Sequence, residues 1–362
     1  MINKPKVVVG MSGGVDSSVA AALLKEQGYE VIGLMMHLWM DKSAKDALKN
    51  QIEAENDAKK VADILGIKLH IVNFEKEFKE EVVNYFLREY KKGLTPNPCV
   101  HCNKKIKFGY FYDKALELGA DFISTGHYAK IVRDKNGNKC IGFADNKAKD
   151  QSYVLYNLSQ DKINHLLLPL SKYTKDEIRS LAKKFNLPVF NKKDSQEICF
   201  IPDNDYKKFL QKYGKVKNKK GLVVNTKGEK LGEHKGIENY TIGQRKGLGI
   251  AASTPMYVVE INPFKNEIVL GDRKDSMLKE ILVKDIVVPH KNVLSVGLEI
   301  MVKIRYNAKP AKAYIKNITD DEAKIVFDTP LMSPAPGQSA VFYKDDCCIG
   351  GGIIAKDLNN NN

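Results

Sequence analysis

Lys6-Val7-Val8-Val9-Gly10-Met11-Ser12-Gly13-Gly14-Val15-Asp16-Ser17-Ser18 sets three valines before two glycines that stand among serines and an aspartate. The valine run predicts a short strand buried on both faces, as in a parallel sheet. Gly13 and Gly14 let the backbone approach an anion and turn its N–H groups inward. Ser12, Ser17 and Ser18 add hydroxyl donors. The stretch from Ser17 to Gln27, ended by Gly28, reads as a helix whose N-terminal dipole favours negative charge by about 0.3–1 kcal/mol per contact. No Gly-Lys-Ser/Thr follows, so this is not a Walker A loop, and the glycine spacing is not G-x-G-x-x-G. A plain strand-to-helix turn accounts for the glycines but not for the serines and Asp16.

Working outward, strands and helices alternate. Strands are predicted at Glu30 to Leu38, Lys68 to Phe74 and Asp121 to Thr125, with helices at Lys45 to Leu65 and Lys76 to Tyr90. Thr95 to Asn103, with two prolines, reads as a loop, followed by a helix to Leu118. This order implies a parallel sheet with helices on both faces and ligands at the carboxyl ends of the strands. A hairpin is expected between Tyr128 and Asp145, turning at Lys135-Asn136-Gly137. Thr174-Lys175-Asp176-Glu177 is a capping box opening a helix to about Phe185. Beyond the basic stretch Lys215 to Gly221, short β-rich runs continue to Ile354. The expected fold class is α/β, with a Rossmann-like domain at 1–215, a small β-rich domain at 216–275 and a β-barrel at 276–357. The Asn-rich end, 358–362, is expected to be disordered.

The 362 residues, 43% of them apolar, suffice for more than one core. No apolar run is long enough to span a bilayer, and the start lacks the pattern of a signal peptide, so a cytoplasmic protein is expected. The net charge of +14 suits a polyanionic partner, although only six of the 58 basic residues are Arg. Of the six cysteines, Cys140 reads as a small buried hydrophobe, and adjacent Cys347 and Cys348 as strand packing. A cytosolic chain of this size needs no disulfide framework. Cys99 and Cys102 lie just before a helix beside Lys104 and Lys105, which predicts lowered thiol pKa values. No second Cys-x-x-Cys or His pair completes a zinc site.

The loop Ser12-Gly13-Gly14-Val15-Asp16-Ser17 resembles the pyrophosphate loop of the PP-loop ATPases, which split ATP between its α and β phosphates to adenylate a substrate oxygen. Asn97 to Asn103, Ser124-Thr125-Gly126-His127-Tyr128, Lys149-Asp150-Gln151-Ser152-Tyr153, Asp194 to Phe200, Tyr240 to Gly247 and Arg305-Tyr306-Asn307 then follow in order. Together they resemble the tRNA-specific 2-thiouridylases along nearly the whole chain. The resemblance implies ATP bound by Gly10, Met11, Ser12, Gly13, Gly14, Val15, Asp16, Ser17, Met36 and Gly126, with Asp16 on Mg2+. It implies Cys199 as persulfide carrier and Cys102 as the second catalytic cysteine. Asn97, Pro98 and Cys99 would approach the base, and His127, Lys149, Asp150, Gln151, Arg305, Tyr306 and Gln338 would contact tRNA.

The implied reaction is 2-thiolation of the wobble uridine of tRNAs for Lys, Glu and Gln. The sulfur donor would be a cysteine desulfurase or a carrier protein. Some family members have Asp at the position of Cys99, which leaves a second route open: Cys99, Cys102 and Cys199 as ligands of a [4Fe–4S] cluster. Another PP-loop enzyme, adenylating a different tRNA site or a small molecule, would share the loop but would not need Cys102 and Cys199.

Overall fold

The computed structural model describes residues 4–192, 198–214, 219–291 and 293–356. Asp194 to Glu197, Lys215 to Asn218 and the Asn-rich end lie outside the described residues. In chain order the first elements are β1 (Lys6–Gly10), α1 (Val15–Glu26), β2 (Glu30–His37), α2 (Ala47–Leu65) and β3 (Lys68–Asn73). Next come α3 (Glu75–Phe78), a π-helical turn (Lys79–Val83), α4 (Asn84–Lys91), α5 (Pro98–Cys102), a second π-helical turn (Asn103–Tyr110) and α6 (Phe111–Glu117). β4 (Phe122–Ser124), β5 (Lys130–Arg133), β6 (Lys139–Gly142), α7 (Gln160–Asn164), β7 (Leu166–Leu167), α8 (Lys175–Lys184) and α9 (Tyr206–Gly214) follow.

The chain divides into two compact units. The first comprises Met1–Val83, Cys99–Pro202 and Asp345–Cys348. Its sheet has the order β3-β2-β1-β4-β7, and all four pairings are parallel. Val7, Val8 and Val9 are fully buried at its centre, as a strand covered on both faces requires. α1 packs its Val19, Ala20 and Leu23 in one cluster with Ile178 and Ala182 of α8. From β1 the chain goes on to β2 toward one edge of the sheet, and from β4 to β7 toward the other, which makes the carboxyl ends of β1 and β4 the switch point where ligands bind. The predicted hairpin forms as β5 and β6, with Gly137 at φ +82° in its turn.

The second unit comprises Asn84–Pro98, Asp203–Lys344 and Ile349–Asn362. Here α4 packs on α9 through Phe86 against Phe209 and Tyr90 against Tyr206. β8 (Gly221–Asn225), β9 (Lys230–His234), β10 (Tyr257–Asn262) and β11 (Glu267–Gly271) form a four-stranded sheet over Val223, Val258, Ile261, Ile268 and Leu270. β12 (Met277–Val287), β13 (Glu299–Lys303), β14 (Ala311–Ile318), β15 (Glu322–Met332), β16 (Ser339–Lys344) and β17 (Cys347–Ile354) run in the order β12-β15-β14-β13-β16-β17. Antiparallel pairing of β12 with β17 closes this set into a barrel, which removes its open edges.

Two local expectations are corrected. The helix expected from Lys76 to Tyr90 is broken by a π-helical turn. The segment expected as a loop up to Asn103 turns helical at Pro98, because proline at a first helical position costs no hydrogen bond. Cys99 and Cys102 therefore lie on a short helix.

Candidate active site

Gly13 has φ +70°, and a Cβ there would collide with the Ala54 carbonyl of α2, so only glycine lets α2 lie against the loop. Gly14 is the N-cap of α1 in extended conformation, and no described side chain caps the helix. The first N–H groups of α1 are thus left for an anion. Ser12 N–H donates to Ser17 Oγ at 3.2 Å, and Ser18 Oγ donates to the Gly14 carbonyl at 2.8 Å. Lys192 Nζ clips the loop, donating to the Gly13 carbonyl at 2.9 Å and to Asp57 of α2 at 2.6 Å. At Gly126, past the end of β4, a Cβ would stand 2.9 Å from Ser17 N, so this glycine allows the exit of β4 to lie against the first turn of α1. Met36 near the end of β2 is half-buried, whereas Met35 is buried. This concave backbone, rich in N–H groups and hydroxyls, fits a nucleotide polyphosphate.

Asp16 Oδ1 accepts from Tyr128 Oη at 2.6 Å and from Lys175 Nζ at 2.7 Å. Neither partner was legible as such. Lys175 was hidden inside the capping box, which forms as expected: Thr174 accepts from Glu177 N–H, and Glu177 accepts from Thr174 N–H. The box fixes the start of α8, and so delivers Lys175 to Asp16.

Of the three cysteines singled out, Cys102 is buried, while Cys99 and Cys199 remain solvent-reachable within dense surroundings. Burial pushes Cys102 up to about 12, Cys199 up to about 11, and Cys99 up as well. This corrects the expectation of lowered values. The five-residue α5 has little dipole, and loss of hydration outweighs the nearby positive charge. That charge is on Lys107, which opposes the rise at all three thiols. Cys99 and Cys199 also raise Cys102, and Cys99 raises Cys199, which places the three in one electrostatic neighbourhood. Phe200 packs edge-on against Phe78 and anchors the Cys199 segment. Among the described residues no group of three or more His, Cys, Asp and Glu is gathered as ligands for one metal ion.

Cys140 and Cys347 are joined as a disulfide, with Cα atoms 5.7 Å apart, correcting the reading of Cys140 as a plain hydrophobe. Cys347 pairs with Gly142 of β6, two residues from Cys140, and this strand contact brings the sulfurs together.

His127 is buried, with Nδ1 2.7 Å from Thr125 Oγ1 and Nε2 3.5 Å from Lys107 Nζ. Burial holds its pKa well below 6.5, so it is neutral. Asp150 is buried too and accepts from Ala144 N–H, Ser152 N–H and Ser152 Oγ, which fixes the backbone beside Lys149 and Gln151. Gln151 Oε1 accepts from Tyr128 N–H at 2.9 Å. In the second unit, Gln338 Nε2 donates to the Thr95 carbonyl at 2.7 Å, two residues before Asn97 and three before Pro98. Arg305, before Tyr306, donates to the carbonyls of Met332 and Ser333.

A Gly-rich, Ser- and Asp-bearing loop at the switch point of an all-parallel sheet defines a PP-loop nucleotide-binding protein. Three family profiles match the chain in order: "tRNA methyl transferase HUP domain" over residues 5–203, "tRNA methyl transferase PRC-barrel domain" over 207–272, and "Aminomethyltransferase beta-barrel domain" over 279–354. The chain is 49% identical over 361 residues to the tRNA-specific 2-thiouridylase MnmA of Clostridioides difficile (strain 630), covering 99% of this chain and 100% of that one. It is 50% identical over 356 residues to tRNA-specific 2-thiouridylase MnmA 1 of Clostridium botulinum (strain Loch Maree / Type A3), covering 98% and 100%. The chain belongs to the tRNA-specific 2-thiouridylase family. Among solved structures it is remotely similar to a 4-thiouridine synthetase–RNA complex with bound ATP, at 17% identity and TM-score 0.35, covering 57% of this chain and 50% of that one.

Proposed function

We propose that this protein is an ATP-dependent sulfurtransferase that replaces O2 of the wobble uridine of tRNAs for Lys, Glu and Gln with sulfur. The observation that carries the reading is near-50% identity along the whole chain to relatives named tRNA-specific 2-thiouridylase. The profile names speak of methyl transfer, but the relatives matched along the whole chain are named thiouridylases, and three mutually interacting thiols in the same unit as a polyphosphate-binding loop suit sulfur transfer after adenylation.

A uracil carbonyl is a poor electrophile because its oxygen leaves badly. Attack of O2 on the α-phosphorus of ATP expels pyrophosphate and turns O2 into part of a good leaving group, AMP. The loop from Gly10 to Ser17 holds the phosphates with its N–H groups and hydroxyls, and Met36 and Gly126 border the base and ribose. Mg2+, held by Asp16, would offset the charge of the departing pyrophosphate. Cys199 carries the incoming sulfur as a persulfide, loaded by a desulfurase or carrier protein. The terminal sulfur attacks C2 and AMP departs. Cys102 then attacks Cys199 Sγ, the sulfur–sulfur bond breaks, and its electron pair stays on the sulfur now bonded to C2. A Cys102–Cys199 disulfide remains, and an external thiol reductant resets it. Lys107 stabilises the anionic sulfur in these steps.

Domain roles follow the chain: catalysis in 1–215, an adaptor in 216–275 and tRNA grip in 276–357. Asn97, Pro98 and Cys99 face the base. His127, Lys149, Asp150 and Gln151 shape the surface near it, and Arg305, Tyr306 and Gln338 of the second unit contact tRNA. Anaerobic purification with iron analysis, beside the activity of Cys99→Ala, tests the persulfide route. Iron-free active enzyme with functional Cys99→Ala supports it; stoichiometric iron with inactive Cys99→Ala replaces it with a cluster.

A further inference from the structure

Tyr128 touches both the nucleotide loop and the segment read above as contacting tRNA. Its hydroxyl donates to Asp16 Oδ1 at 2.6 Å. Its backbone is gripped twice by Gln151: the Tyr128 N–H donates to Gln151 Oε1 at 2.9 Å, and Gln151 N–H donates to the Tyr128 carbonyl at 2.8 Å. Between these ends Tyr128, as a whole residue 4% exposed, is packed in one cluster with Val15 and Val19 of α1, Ala144 and Leu170. A side chain so enclosed has no freedom to absorb a backbone shift, so movement at Gln151 reaches the hydroxyl. The hydroxyl shares Oδ1 with Lys175, so a change in its position alters the balance of donors on that oxygen. Gly126, two residues earlier, lies against Ser17 N, which keeps this whole strand exit in register with the loop.

We propose that Tyr128 is a positioning residue that ties the segment around Gln151 to the Asp16 carboxylate, so that adenylation answers to bound tRNA. This rests on the sulfurtransferase reading above. Gln151 engaged by RNA holds the Tyr128 backbone, Tyr128 holds Oδ1, and the carboxylate is set for the loop's metal. The tie is formed in the chain alone, and RNA held at Gln151 restrains it further.

The test is Tyr128→Phe in the full chain, with AMP formation measured against tRNA and Mg2+ concentration. Loss of a hydrogen bond to a charged group predicts a kcat about tenfold to a hundredfold lower. The KM for tRNA should stay within about twofold, and the Mg2+ concentration for half-maximal rate should rise. A merely structural role would lower the melting temperature without that split. Gln151→Ala should lower kcat by a similar factor, and the double variant should lose no more than the worse single one, since both cut one tie. Wild-type kcat in Tyr128→Phe, or losses that multiply in the double variant, would overturn the tie. If Tyr128→Phe does not fold, Gln151→Ala carries the test with the ring in place: lost tRNA stimulation supports the tie, and full stimulation overturns it. Wild-type enzyme that forms no AMP with tRNA would sink the sulfurtransferase reading itself, a failure distinct from either variant result.

Discussion

At Asp16 two donors meet on one oxygen, and the residue's worth to catalysis can be separated from its worth to binding. Asp16→Ala should lower tRNA-dependent AMP formation by roughly a hundredfold or more, as loss of a group stabilising the transition state does. Binding of tRNA, read by filter retention, should change less than about threefold; a variant that makes AMP at the wild-type rate removes Asp16 from the mechanism. The thiols give a second expectation. With Cys102 near 12 and Cys199 near 11, thiolate is scarce at neutral pH. Alkylation by iodoacetamide should then rise about tenfold per pH unit from 7 to 9, and a plateau by pH 8 would contradict the burial argument. Linkage sets the sign for stability. Folded thiol pKa values above the unfolded value of about 8.5 give stability that is present below that pH and fades as pH rises past it. Neutral buried His127 adds stability that fades as pH falls below about 6.5. The loop's glycines and serines were legible because their chemistry is local. The thiol pKa values were not, because desolvation depends on chain brought in from afar.

Among elements, α8 shows how a helix start serves a site. Thr174→Ala should cost about 1 kcal/mol by urea denaturation, the usual worth of such a cap. It should also raise the KM for ATP, because Lys175 sits on the first turn. An unchanged KM would mean that Lys175 holds its place without the box. The strands and the first two helices were readable from valine runs and helical periodicity, since β1 to β3 are bounded by glycine, proline and polar turns. The π-helical turns at Lys79 and Asn103 were not readable, because they answer to packing rather than to periodicity. The helix at Pro98 was missed for a related reason: five residues are too few to show a period. The capping box itself was plain in the sequence, but its consequence for Asp16 was not, because that pair spans 159 positions.

For the whole molecule, the basic excess and the closed barrel predict tRNA affinity that falls about tenfold or more between 50 and 200 mM salt, measured by fluorescence anisotropy. Removing residues after 276 should weaken binding, and salt-independent affinity would contradict phosphate contacts. The Cys140–Cys347 disulfide closes 207 positions of sequence, a link that no local pattern could announce. Non-reducing peptide mapping should recover that pair, and Cys140→Ser should lower stability by about 2–5 kcal/mol. The measurement that bears most directly on the central claim is mass analysis of nucleosides from tRNA incubated with the enzyme, ATP, Mg2+ and a persulfide source. The predicted result is 2-thiouridine at the wobble position, dependent on ATP and lost with Cys102→Ala or Cys199→Ala. An unchanged uridine under these conditions, or a methylated one formed with a methyl donor and no ATP, would contradict it.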